Sequence, residues 1–166
     1  MTYHGWSLAA LGQAQEGVAL LSQGLSVLPG TEAIIDTPVM LMMLAEAYAR
    51  LGRLAEGQEC LAEAAQIIEA TDERCYETEL HRVRGDLLNA TGDRAAAEQS
   101  YHQALVVAQR QSAKTFELRA ATSLARLWRD KRAEARDLLA PIYGWFTEGF
   151  DTPVLQGAKA LLDELA

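Results

Sequence analysis

Apolar residues recur along the chain at helical spacing, and glycine cuts the runs at regular intervals. The phrases LAALGQAQEGVALL (8–21), AYARLGRLAEGQECL (47–61) and DLLNATGDRAAAEQSY (86–101) share one plan. An apolar helical run meets a glycine, about two residues link, and an Ala-rich second run follows. The glycines are Gly12, Gly52 and Gly92, forty residues apart. A fixed period in this range predicts stacked helical hairpins rather than one closed core.

Glycine readily adopts the left-handed conformation that follows a helix, so it places the helix ends. The pattern predicts helices over about 2–11 and 14–28, a break at Pro29-Gly30, and helices over about 32–51 (Thr31 as N-cap) and 54–70. Thr71 or Asp72 is expected to cap a helix over 73–91, followed by one over 94–111. After Ser112 come helices over 114–129 and 132–147, the latter bent near Pro141, and Gly149 ends it. Asp151-Thr152-Pro153 opens a last helix to about 165, with proline at a favourable first-turn position. Its Leu155, Leu161, Leu162 and Leu165 lie on one side and Gln156, Lys159, Asp163 and Glu164 towards the other, the pattern of a lid with one wet face. The expected organisation is one domain with repeats at about 1–30, 31–71, 72–112 and 113–149 and a capping helix at 152–165. The first helix is short, and Trp6, Leu8 and Leu11 do not make a polar cap. That suggests the downstream end of a longer array, or a small protein that covers an open N-terminal face by self-association.

Composition supports an all-α chain. Hydrophobic residues make up 49% of 166 residues and only four are proline. Val and Ile never alternate with polar residues over a strand length. The net charge of −8 is uneven. Residues 1–72 hold nine acids against Arg50 and Arg53, whereas residues 73–166 hold fourteen acids and thirteen bases. Neither half offers the basic face that nucleic-acid binding requires. Cys60 and Cys75 lack metal-ligand or disulfide-framework spacing and read as free thiols of a cytoplasmic protein. No apolar stretch reaches membrane-spanning length, and the start has no basic n-region.

The repeat resembles a tetratricopeptide repeat. In the second unit Tyr48, Leu51, Gly52, Ala55 and Ala64 carry the likeness; in the third, Leu88, Thr91, Gly92, Ala95 and Ala104. The first keeps Leu8, Leu11 and Gly12 but has Gln15 and Gly24 for the alanines. The fourth has Trp128 and Ala133, has lost the glycine, and is about two residues shorter in that turn. Ala55, Ala64, Ala95 and Ala104 are expected at the close hairpin contacts, since helices approach to about 8 Å only over small side chains. Tyr48, Leu88 and Trp128 are expected to fill grooves between neighbours. The period exceeds the thirty-four residues usual in the family. Together with ETELHRVRGDLLNATGD (77–93) and residues 117–165, it is similar to the C-terminal regions of large bacterial signalling regulators that join a cyclase or DNA-binding domain to an ATPase. The resemblance implies a right-handed α-solenoid of about four hairpins plus the capping helix.

It also implies a concave groove, lined by the first helix of each hairpin, in which a protein or peptide partner docks. The groove positions are Glu46, Ala49 and Arg53, then Asp86 and Asn89, then Arg126 and Arg129. One turn earlier come Met42, Arg82 and Thr122, and before them Glu79 or Arg119. Arginines concentrate towards the third and fourth units, and their planar forks suit carboxylates, which points to an acidic or C-terminal peptide. The alternative is a solvated face with local partners, such as Arg82 with Asp86. Met40, Met42 and Met43 read as core filler or as an adaptable binding surface. His4, His81 and His102 show no metal-ligand spacing. Trp145, Phe146 and Phe150 form an aromatic patch over which the last helix is expected to fold. No catalytic motif is present, and neither a cofactor nor a metal is expected. The expected role is a non-enzymatic interaction scaffold. A small-molecule sensor with an effector between hairpins and a self-associating homo-oligomer are the rival readings.

Overall fold

The computed structural model describes residues 7–9, 11–27 and 33–166, with backbone alone at 33–35. The expected Pro29-Gly30 break, the Thr31 cap, His4, Trp6 and most of the first helix lie outside the described residues. After a helical turn at 7–9 the helices are α1 (Ala14–Ser26), α2 (Ala33–Arg50), α3 (Leu54–Thr71), α4 (Glu77–Ala90), α5 (Arg94–Arg110), α6 (Lys114–Leu127), α7 (Arg132–Tyr143) and α8 (Pro153–Glu164). No strand occurs among the described residues.

The periodic glycines close the hairpins as the pattern requires. Gly12, Gly52 and Gly92 have φ of 91°, 72° and 88°. Each turn repeats one pair of hydrogen bonds. Gly92 N–H donates to the Asn89 carbonyl (3.0 Å) and Asp93 N–H to that of Leu88 (3.0 Å); Gly52 and Arg53 bond Ala49 (3.0 Å) and Tyr48 (2.9 Å) in the same way. This pair satisfies carbonyls that a helix end otherwise leaves open. Ser112, at φ 55°, makes the same turn between α5 and α6, its N–H reaching Gln109 and that of Ala113 reaching Ala108.

Three boundaries differ from expectation. Residue 72 ends α3 instead of capping α4: Asp72 is left-handed (φ 55°), and Arg74 holds the linker through Asp72 (2.6 Å) and Glu77 (3.3 Å). α6 stops at Leu127, because residues 128–131 close a tight turn with Lys131 N–H on the Trp128 carbonyl (2.7 Å). α7 stops at Tyr143 rather than bending through Pro141. Beyond it the bonds tighten to the three-residue type, from Trp145 to Ile142 and from Phe146 to Tyr143.

Successive helices pack antiparallel, and α2, α4, α6 and α8 also pack on one another in sequence. The outer helices α3, α5 and α7 make no mutual close approach. This one-sided stacking is an α-solenoid with an inner row and a splayed outer row. Small residues recur every forty positions on the inner helices, Ala45, Gly85 and Ala125, all buried; Ala45 and Gly85 lie against the outer helix of their own hairpin, at Gly57 and Tyr101. In the outer helices the contact residues are Gly57 and Ala97, together with Ala64 and Ala104, all buried. Ala55 and Ala95 are exposed, contrary to expectation: α3 and α5 begin where expected, but their fourth residues, Gly57 and Ala97, face the inner row rather than their second. Built Cβ atoms show how tight the fit is. At Gly57 one would stand 2.8 Å from Leu87 Cδ2, and at Gly85 2.5 Å from Tyr101 Cε1. Tyr48, Leu88 and Trp128 are half-buried against the two cores, one around Leu21, Leu41, Leu61 and Leu87, the other around Tyr101, Leu118, Leu124 and Leu161.

Gly92→Ala meets open space but keeps a left-handed backbone, so a loss of about 1–2 kcal/mol is expected. Gly85→Ala gains about 1 kcal/mol of helix propensity and loses about 1–3 kcal/mol to the buried Tyr101 ring. Urea unfolding separates them: combining each with Tyr101→Leu should shrink the Gly85→Ala cost and leave the Gly92→Ala cost unchanged.

Candidate functional site

The inner faces of α2, α4 and α6 carry charge into a largely buried setting. Arg82 is 6% exposed and meets three carboxylates. Its Nη2 pairs with Glu46 of α2, its Nε donates to Glu79 (3.1 Å) and its Nη1 to Asp86 (2.5 Å). The Tyr101 hydroxyl donates to the other Asp86 oxygen (2.6 Å), and Arg119 Nη2 reaches Glu79 from α6 (2.9 Å). Burial alone would lower the Arg82 pKa, but Glu79, Glu46 and Asp86 outweigh it and hold the guanidinium protonated. Burial, then the Asp86 carboxylate, push the Tyr101 phenol above its ordinary range, so it stays a neutral donor. One network therefore ties α2, α4, α5 and α6.

Two recesses open on either side of it and share Arg82 and Arg119. One, of about 240 Å³, is mainly apolar: Val39, Met42, Met43, Tyr76, Val83 and Phe116 surround the Glu46, Glu79 and Arg82 charges. The other, of about 230 Å³, lies between α6 and the first turn of α8. Arg119, Thr122, Ser123 and Arg126 face Pro153, Val154 and Gly157, and no carboxylate lines it.

The structure brings together Glu46, Arg82, Asp86, Arg119, Thr122 and Arg126 of the groove residues expected from sequence. Thr122 is buried and donates to the Leu118 carbonyl (2.7 Å). Arg53, Asn89 and Arg129 line neither recess. Arg53 precedes α3, pairs with Glu56 (2.8 Å) and stacks on Tyr48 (4.5 Å), because the turn at Gly52 carries it past the end of α2. Asn89 is exposed in the last turn of α4. Arg129 lies beyond α6 and clasps Glu164 of α8 (3.0 Å). Of the methionines, Met40 is core while Met42 and Met43 line the apolar recess. The last helix covers Phe146 but leaves Trp145 and Phe150 exposed, contrary to expectation, since α7 ends early and the 144–152 segment turns them outward. His102 packs on Trp128 (5.6 Å), and no cluster suited to a metal occurs among the described residues. Burial pushes both the Cys60 and the Cys75 thiol up to about 11, which leaves them weak nucleophiles. No helix among the described residues is long and apolar enough to cross a membrane.

Sequence reasoning missed Tyr101, Tyr76, Phe116, Ser123 and the α8 turn. Tyr101 stands forty residues after Leu61, so the period itself held that signal. Ser123 and Gly157 carry none.

Residues 40–124, about half the chain, match the family model described as a tetratricopeptide repeat-like domain. The fold is similar to crystal structures of nearly identical TPR-like repeats from a Podosopora anserina protein described as a kinesin light chain. One has a TM-score of 0.64 at 20% identity, covering 99% of this chain and 90% of that one. A single-substitution variant of that protein gives 0.66 at 20% identity, covering 99% and 82%. No curated protein sequence matches the chain.

Replacing Arg82 by Met leaves Glu46, Glu79 and Asp86 without their shared cation in a partly buried site, with Arg119 still on Glu79, at an expected cost of about 3 kcal/mol at pH 7. Three carboxylates that have lost their shared cation repel one another in the folded variant, and protonation relieves that repulsion. Its deficit should therefore shrink as pH falls towards about 5, as unfolding curves across that range would show. A deficit independent of pH would mean lost packing alone.

Proposed function

This chain belongs to the tetratricopeptide repeat-like family, and we infer that it is a non-catalytic docking module that seats an acidic segment of a protein partner along its inner row. Repeats of this family commonly mediate protein–protein interaction. The observation that carries the reading is the pair of adjoining recesses, one apolar and one cationic, on either side of a single rigid charge network. A peptide laid across α2, α4 and α6 would place an apolar side chain among Met42, Met43 and Phe116 and an acidic group by Arg126. Burying one such side chain contributes about 1.5–3 kcal/mol. The cationic end restricts which segments fit, in a chain whose net charge of −8 otherwise repels acidic partners.

The likeness of residues 77–93 and 117–165 to the tails of bacterial signalling regulators supports a further part of this reading. The module would be a cytoplasmic regulatory region whose occupancy shifts the activity of an attached ATPase or cyclase. That requires a partner that binds two conformations of the array unequally.

Selection of a displayed random-peptide library on the chain tests the docking surface. Enriched peptides should pair an apolar residue with Asp or Glu, and Arg126→Glu should weaken them about tenfold or more. Met42→Trp, which fills the apolar recess, should weaken them independently. A library without saturable binders, or binders indifferent to both substitutions, would remove the groove as the docking site.

A further inference from the structure

We propose that the recess between α6 and the first turn of α8 is a carboxylate subsite, built by Arg126, Arg119, the Ser123 hydroxyl and the open amino end of α8, and that it takes the acidic group of the docked partner. The proposal rests on the docking reading above and gives the last helix a part in recognition beyond covering the core.

Four observations converge on this recess. Arg82 and Arg119 are already engaged by carboxylates, but Arg126 is exposed and has no ion-pair partner among the described residues. Its guanidinium lies across α8, Nη2 standing 3.6 Å from where a Cβ on Gly157 would be. Ser123 lines the recess at 8% exposure, and its hydroxyl has no hydrogen-bond partner among the described residues. That oxygen is not sealed from solvent, so it opens into the recess, where a ligand oxygen lying between it and Arg126 would pair with both.

The start of α8 completes the set. Thr152 does not cap the helix, because its hydroxyl donates to the Gly149 carbonyl instead (2.7 Å). No acid occupies the first turn, and the Val154 and Leu155 N–H groups have no acceptor among the described residues. Uncapped N–H groups at a helix start attract anions through both hydrogen bonding and the helix dipole. The charge count selects the class of anion. One unpaired guanidinium matches one negative charge, while a dianionic phosphate would add an excess charge near Glu79 and Asp86. Arginine also presents a planar fork that suits a carboxylate.

The test titrates the isotopically labelled chain with sodium acetate and follows backbone amides and the Arg126 Nε by NMR. Sodium chloride at equal ionic strength and inorganic phosphate are run in parallel. Acetate should give saturable shifts at Val154, Leu155, Gly157 and Arg126 that chloride does not reproduce. Arg126→Gln should weaken acetate about tenfold. Ser123→Ala should weaken it several-fold while leaving the free chain as stable as before, since it removes no internal hydrogen bond. Gly157→Asp should supply an internal carboxylate and abolish acetate shifts with the helical circular dichroism unchanged. Equal shifts with chloride, tighter binding of phosphate, or indifference to Arg126→Gln would each overturn the carboxylate subsite. So would a Ser123→Ala chain that melts lower, because the hydroxyl would then have an internal partner. Acetate is read on the chain alone. Saturable acetate without any selected peptide therefore keeps the subsite and removes the docking reading, and selected peptides without acetate binding do the reverse.

Discussion

A guanidinium taken out of water must be answered by negative charge, and around Arg82 that requirement organises the middle of the molecule. Glu46 comes from α2, Glu79 and Asp86 from α4, and Tyr101 reaches in from α5 to the Asp86 oxygen that Arg82 leaves open. Hydrophobic packing alone tolerates sliding between helices, whereas a forked cation with three partners fixes their relative position. Breaking such a set strands charge in a dry setting, so the geometry is held by the cost of any alternative rather than by the net worth of the pairs. Gly85 belongs to the same device. It lets the Tyr101 ring lie against the α4 backbone, and the ring's position there puts its hydroxyl on Asp86.

The network also confines the free positive charge of the inner row to one place instead of spreading it along the groove. Three arginines face the same region, yet Arg82 is consumed by structure and Arg119 is half engaged with Glu79. The cation left over is displaced to one end, beside α8. The apolar wall of Met42, Met43 and Phe116 lies at the other. The surface thus has a direction, read from its chemistry alone.

Much of this was legible in the chain before any coordinates. The forty-residue period placed the turns at Gly12, Gly52 and Gly92, because only a left-handed residue can close a helix that way without cost. The same period put Glu46, Asp86 and Arg126 on equivalent positions of the inner row. The register of the outer helices was not legible at that precision. Both helices start where the pattern puts them, but residues 55 and 57 stand about 200° apart around the axis, and packing on the inner row decides which of them faces inward. Arg53 and Arg129 were misplaced for a related reason, since both follow a turn that periodicity carries straight on. The saturation of Arg82 and the solitude of Ser123 depend on distances between helices far apart in sequence, and no local pattern records them. Pro153 marked a helix start, but not that it would face α6.

The outer helices α3, α5 and α7 never come close to one another, while the inner row is in continuous contact. Mechanically this is a leaf spring clamped along one edge. A change of angle between inner helices would open or narrow gaps on the outside without breaking any contact within the outer row, with the clamped edge as the pivot line. A guest wedged between α6 and α8 would stiffen the last pivot, so occupancy at one end would be felt as a change in the curvature of the whole stack.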